Sequence, residues 1–279
     1  MKKALLLLVA IVFSCFSLYS QTICTTCQQG RHVPDSTNAS LWATRAMMAP
    51  SRVGNGNSSL GQSYVIQNVC GLNYVTGSVM TETRSQPFSF NTNGTGFPTS
   101  VVISGIPNCN TIQKAYLYWE ASYTESSPPA VSATITNPNL VVNTYASTLA
   151  GTGLPKCWSE VGTGCWRADV TPAISGNGTY GINLTGFANA AWEVDGCTLV
   201  IVYTAPGAYS GSISLWDGCI STGYVALKFI GTYTGFTACA AAPVARTFAA
   251  FGDMQTNTNA GINKESFNGS PSTTFNNIM

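Results

Sequence analysis

The chain has 279 residues, ten cysteines, only 8% charged residues and a formal net charge of +1. That length holds one large β domain or two small ones, and either buries a substantial core. A charged fraction far below the roughly 25% of ordinary globular proteins leaves no basic patch for a phosphate backbone, so nucleic acid is excluded as a partner.

Residues 1–20, MKKALLLLVAIVFSCFSLYS, carry two lysines, an apolar run from Ala4 to Phe13, then small and polar residues. This reads as a secretory signal peptide, because the apolar run is too short to span a bilayer. Cleavage after Ser20 leaves Gln21 first, and losing Lys2 and Lys3 leaves ten basic against eleven acidic residues, or −1. Val12-Phe-Ser-Cys15 is a poor lipobox and a weaker alternative. No later stretch reaches the about 18 apolar residues of a transmembrane helix. The sequence therefore predicts a secreted or outer-cell-surface protein without an integral membrane segment.

Residues 21–61 are polar, turn-rich and without period, and are expected to be a flexible N-terminal segment. A short helix capped by Ser40 fits residues 40–48. Asp35-Ser-Thr37 fits a short O-glycosylation pattern of some Gram-negative secreted proteins. The only histidine, His32, lies here, which excludes a Ser-His-Asp triad or a multi-histidine zinc site in the folded part. Cys24-Thr-Thr-Cys27 has the spacing of half a zinc knuckle or a redox pair. With no second pair and no βαβ setting, it reads as a structural or inter-chain disulfide.

Residues 62–252 carry strand signals every 10–15 residues, bounded by Gly, Pro or Asn. Strands are expected over 64–69, 77–83, 100–104, 112–123, 131–136, 140–146, 165–170, 178–184, 197–203, 211–216, 223–232 and 244–251. Thr171-Pro172 opens a single helical turn with Thr171 as N-cap, and Gly176-Asn-Gly178 is a tight turn. In 112–123, Ala115, Leu117, Trp119 and Ala121 form an inward row. Tyr116, Tyr118, Glu120 and Ser122 face a wet groove or a loop. The run 197–203 is apolar on both faces and should be central and covered on both sides. It is expected to pair with 211–216 as a hairpin. Residues 253–279 read as the start of a further β segment, and the lack of a closing pattern suggests truncation.

The fold class that follows is all-β, a β-sandwich of jelly-roll or immunoglobulin-like kind, stapled by disulfides. Nine cysteines remain after the leader, an odd number. The hairpin register would bring Cys197 to Cys219, a short Gly-rich loop joins Cys157 to Cys165, and Cys70 with Cys109 is a third pair.

Several stretches together resemble an all-β extracellular domain of bacterial secreted and cell-surface, adhesin-like proteins. They are Ile112-Gln-Lys-Ala-Tyr-Leu-Tyr-Trp119, Trp166-Arg-Ala-Asp-Val-Thr171, Asp195-Gly-Cys-Thr-Leu-Val-Ile-Val-Tyr203, Leu215-Trp-Asp-Gly218, and Phe251-Gly-Asp253 followed by Ser266-Phe-Asn-Gly269. The likeness spans residues 112–269. It implies a surface or adhesive role and no established reaction, and the repeats and sorting module that follow such domains are missing here.

The residues themselves bear this out only weakly. Glu120, Glu160, Asp169, Glu193, Asp195, Asp217 and Asp253 are the carboxylates of the folded part, and Glu120 with Asp217 is the pair a glycosidase would need. The plainer reading has Asp169, Asp195, Asp217 and Asp253 hydrogen-bonding turn backbones. Asp253, Asn257 and Asn259 offer a calcium ion alternating oxygens but too few charges, so no cofactor is expected beyond that weak candidate. Tyr116, Tyr118 and Trp158 are candidates for stacking on glycans, with Trp192, Trp166 and Trp216 among the other aromatics and Trp119 and Trp216 favoured as core. The expected function is a non-catalytic structural or adhesive surface domain with glycan or protein partners. A carbohydrate-binding module or carbohydrate-active enzyme component, and a strand-donating filament subunit, are the alternatives.

Overall fold

β-Favouring runs cut by Gly, Pro and Asn become strands in the computed structural model, which describes residues 60–81, 97–123, 126–153, 162–186, 193–207, 211–219, 248, 250, 263–267 and 270–275. The strands are β1 (Gly61–Val69), β2 (Leu72–Met80), β3 (Thr99–Ile103), β4 (Thr111–Tyr123), β5 (Ser132–Thr136), β6 (Val142–Gly153), β7 (Gly162–Asp169), β8 (Gly178–Thr185), β9 (Glu193–Thr204), β10 (Gly211–Asp217), β11 (Asn263–Phe267) and β12 (Ser270–Phe275). Apart from one 3-10 turn at Thr171–Ala173, no helix occurs among the described residues. None there is long and apolar enough to cross a membrane.

Eight strands form one antiparallel sheet in the order β2-β9-β4-β7-β6-β5-β8-β3. β6 is the corner: residues 142–146 pair with β5, and residues 147–153 pair with β7. The curl brings the two end strands together. A Cβ on Gly77 of β2 would stand 2.5 Å from Val101 Cγ1 and 2.8 Å from the Val102 carbonyl oxygen of β3. The sheet is thus barrel-like, and only a residue without a side chain fits where its ends meet.

One apolar cluster fills the interior. β4 contributes Ala115, Leu117, Trp119 and Ala121, and β9 contributes Cys197, Leu199, Ile201 and Tyr203. Val101, Ile103, Ala133, Ile135, Tyr180, Ile182 and Leu184 join them from β3, β5 and β8. Trp119 and Trp166, cross-strand partners on β4 and β7, stack with ring centroids 6.5 Å apart. The Tyr180 hydroxyl, deep in the core, donates to the Gly176 carbonyl at 2.6 Å and accepts from Ser175 N–H. A buried hydroxyl so satisfied costs the core little.

β9 lies between β2 and β4, and residues 196–203 are buried on both faces, as their two-sided apolar pattern requires. The expected hairpin with 211–216 does not form. β10 instead pairs with β1, Gly61 opposite Asp217 and Val69 opposite Gly211. This ribbon lies over the outer side of β4 and β7. Tyr64 meets Tyr116 edge-on at 6.5 Å, and Asp217 ion-pairs with Arg167. The outward row of β4 therefore meets a second layer rather than a wet groove or a loop.

The helical turn at 171–173 is present with Pro172 in its first positions, but Thr171 does not cap it. Its hydroxyl instead accepts from Ala115 N–H at 2.9 Å and donates to Asp169 Oδ1 at 2.6 Å, pinning the turn to β4. Asn177, in the predicted tight turn, donates to and accepts from the Ile106 backbone at 2.7 and 2.9 Å. The expected strand at 223–232 lies outside the described residues. So does most of the one at 244–251, of which residues 248 and 250 are not in a strand. β11 and β12 form a hairpin with Phe267 opposite Ser270.

Candidate functional site

Two places in the described residues concentrate polar chemistry. The first lies between the ribbon and the sheet. Glu120 and Cys165 are direct cross-strand partners on the outer face of β4 and β7. Cys219, two residues beyond β10, reaches the same spot and donates to the Thr163 carbonyl at 3.7 Å. Both sulfurs and a Glu120 carboxylate oxygen lie within 4.8 Å of one another. Burial, then the neighbouring Cys219 thiol, then the Glu120 and Asp217 charges push the Cys165 thiol well above its ordinary range. Arg167 and Asp217 form a partly buried ion pair alongside. Burial alone would lower the Arg167 pKa, but the charge and hydrogen bond of Asp217 outweigh it and the net shift is upward. The buried Tyr118 hydroxyl sits against Ser63 of β1, and burial followed by the Asp217 charge raises its pKa. Two sulfurs and one carboxylate oxygen are donors that suit zinc far better than calcium, though a closed zinc site takes four.

The second place is the outer face of β3, β8, β5 and the first half of β6. Thr144, Thr134 and Asn183 lie in one cross-strand row, with the Thr134 and Thr144 hydroxyls 2.8 Å apart. Ser132 and Thr185 flank that row on one side, and Thr136, Gly181 and Ser100 form the next on the other. Val102 and Val142 project from this face at 67% and 59% exposure. None of β3, β5, β6 and β8 contains an acidic or basic residue.

Several expectations are corrected here. Tyr116 is buried and Tyr118 lies under the ribbon, so neither presents a face to a glycan. Trp158 lies outside the described residues, as do Cys24, Cys27, Cys157, Asp253, Asn257 and Asn259. Cys197 points into the core and Cys219 lies on the opposite face of the same sheet, so the Cys197–Cys219 bridge cannot form. Cys165 is not bonded to Cys157; its sulfur faces Cys219 instead. Cys109 is exposed and not bonded to Cys70, which overturns the Cys70–Cys109 pair. Asp169 takes the turn role expected of it, accepting from Thr171 N–H at 3.2 Å and from its hydroxyl, with Lys114 on the other oxygen. Asp217 does not: its carboxylate is held by Arg167 in the layer between ribbon and sheet. Trp119 is core as expected, while Trp216 is half-buried in the ribbon.

The Glu120, Cys165 and Cys219 grouping was beyond sequence reasoning, because its members come from three strand regions that only the ribbon's docking unites. The uncharged face had a visible signal in the composition of its four strands. No family model, curated protein or solved structure matches the chain.

Proposed function

We propose that the chain is a non-catalytic structural or adhesive domain, exported and displayed at the cell surface, that engages a neutral, hydroxyl-rich partner such as an uncharged glycan. The uncharged face of β6, β5, β8 and β3 carries this reading. Neighbouring strands set its hydroxyls and amide about 4.8 Å apart, a spacing suited to multiple hydrogen bonds with a polyhydroxylated chain. Exposed Val102 and Val142 supply apolar contact for the ring faces of sugars. A face without charged groups has no means of pairing with an ionic partner and favours one that carries no charge. The leader-like N-terminus and the likeness to bacterial surface domains point the same way. We read the barrel-like sheet as a jelly-roll-like sandwich whose β6 turns from one half into the other. A strand-donating subunit needs an open groove, and β2 already lies against β3 at Gly77.

The test is binding of the full chain to a panel of neutral and charged polysaccharides. Retention on a neutral polymer is expected, at least tenfold weaker in Thr134→Asp, with little change in melting temperature. Equal retention in that variant, preference for acidic polymers, or release of reducing ends from any polymer would overturn the reading.

A further inference from the structure

We propose that Cys165 and Cys219 join in a disulfide that fastens the β1–β10 ribbon to the barrel-like sheet. Their sulfurs lie within 4.8 Å, on the same face of β7, and come from elements that no other covalent link among the described residues ties together. The surroundings favour the bond. Cys165 and Cys219 are buried, and burial with the nearby Glu120 and Asp217 carboxylates disfavours a Cys165 thiolate. A disulfide removes both ionisable groups and leaves an uncharged, apolar bridge. Cys197, on the core side, is screened from the pair by the sheet.

The step is thiol–disulfide exchange with a small-molecule or protein disulfide as oxidant. One thiol, deprotonated, attacks a sulfur of the oxidant; a mixed disulfide forms and the first oxidant thiolate leaves. The second cysteine thiolate then attacks the mixed disulfide, giving the Cys165–Cys219 bond and releasing the second oxidant thiol. The two cysteine protons end on the two released thiols, and the oxidant takes the two electrons. The first attack takes place while that thiol is still in water, and docking of the ribbon then brings the second cysteine to the mixed disulfide. The inference stands apart from the adhesive reading, since a braced shell serves any role.

The experiment refolds the full chain in a mixture of reduced and oxidised glutathione, blocks remaining thiols, and maps peptides without reduction. One linked pair joining the Cys165 and Cys219 peptides, two hydrogens lighter than their sum, is expected, with no bound metal. Cys165→Ala, Cys219→Ala and the double variant should lose the same number of degrees in melting temperature, because each removes the same bond. Alkylation of both residues as thiols, linkage of either to another cysteine, or stoichiometric zinc that shields them would overturn the proposal. If the variants do not fold, the peptide map of the unaltered chain decides alone.

Discussion

At the scale of single residues, the ion pairs separate by depth. Arg167 and Asp217 have side-chain exposures of 19% and 13%, so removing one partner strands a charge in a poorly hydrated layer. Asp217→Ala should destabilise by about 3 kcal/mol, read from chemical denaturation, and Asp217→Ala with Arg167→Met should recover part of that loss. Lys114 and Asp169 lie 2.5 Å apart but Asp169 is 48% exposed, so water and salt screen much of their attraction. For Asp169, burial acts to raise the pKa, yet hydrogen bonds from Lys114 and Thr171 outweigh it and the folded value is depressed below the ordinary 3.8. A depressed carboxylate adds stability that is present above the unfolded value and lost as pH falls through the folded one. Urea midpoints followed from about pH 6 to about pH 2 should therefore fall less steeply in Asp169→Asn than in the parent. Trp119 presents a different case. Its Nε1 is buried without a hydrogen-bond partner among the described residues, and an orphaned donor costs about 1–3 kcal/mol. Trp119→Phe removes that donor along with some packing, so its loss should be near 1 kcal/mol, whereas Leu117→Ala should lose about 3 kcal/mol.

At the scale of elements, close approach rather than propensity sets the tolerances. Gly77 lets β2 meet β3, and Gly164 lies where a Cβ would be 2.4 Å from Trp166 Cη2. At Gly77 the obstructing atoms are the Val101 and Ile103 side chains and the Val102 carbonyl oxygen, and at Gly164 the Trp166 ring; all are packed in or against the core and have little room to swing aside. Gly77→Ala and Gly164→Ala should each cost about 1–3 kcal/mol or more, while Gly211→Ala, with open space around its Cβ, should leave the melting temperature nearly unchanged. Alternation explains most of what the strands show. Ala115, Leu117, Trp119 and Ala121 were legible as an inward row because side chains one residue apart must take opposite faces. The same rule could not say what would cover Tyr116, Tyr118 and Glu120. A half-polar, half-aromatic row fits a solvated groove and a layer interface equally well.

At the scale of the whole molecule, the outer layer is the most non-local part of the chain. Gln62 lies opposite Trp216 and Ile66 opposite Ile213, so closing the ribbon brings together segments separated by nearly the whole sheet. Loop-closure entropy must be overcome before such contacts are rewarded, so refolding should be slow, on the order of milliseconds to seconds. Stopped-flow tryptophan fluorescence would measure this. A Ser63→Pro variant, which perturbs the ribbon, should unfold faster with little change in the refolding rate if the ribbon docks last.

The amino-acid order by itself determined the strand class, the approximate positions of β1 to β10, the inward row of β4, and the centrality of β9, although β2 begins at Leu72 rather than at 77 and β6 runs on to Gly153 rather than ending at 146. Each of these follows from spacing along the chain, where a period of two and a Gly or Pro boundary act over a few residues. The β11–β12 hairpin could have been read the same way, since Asn268-Gly269 separates its strands and that dipeptide favours the tightest hairpin turns. Tertiary structure alone decided which strands pair across long separations, and with that the partner of β10, the cover over Tyr116 and Tyr118, and the meeting of Cys165 with Cys219. The physical reason is that sidedness fixes which face a residue takes but carries no information about which distant segment will lie against it.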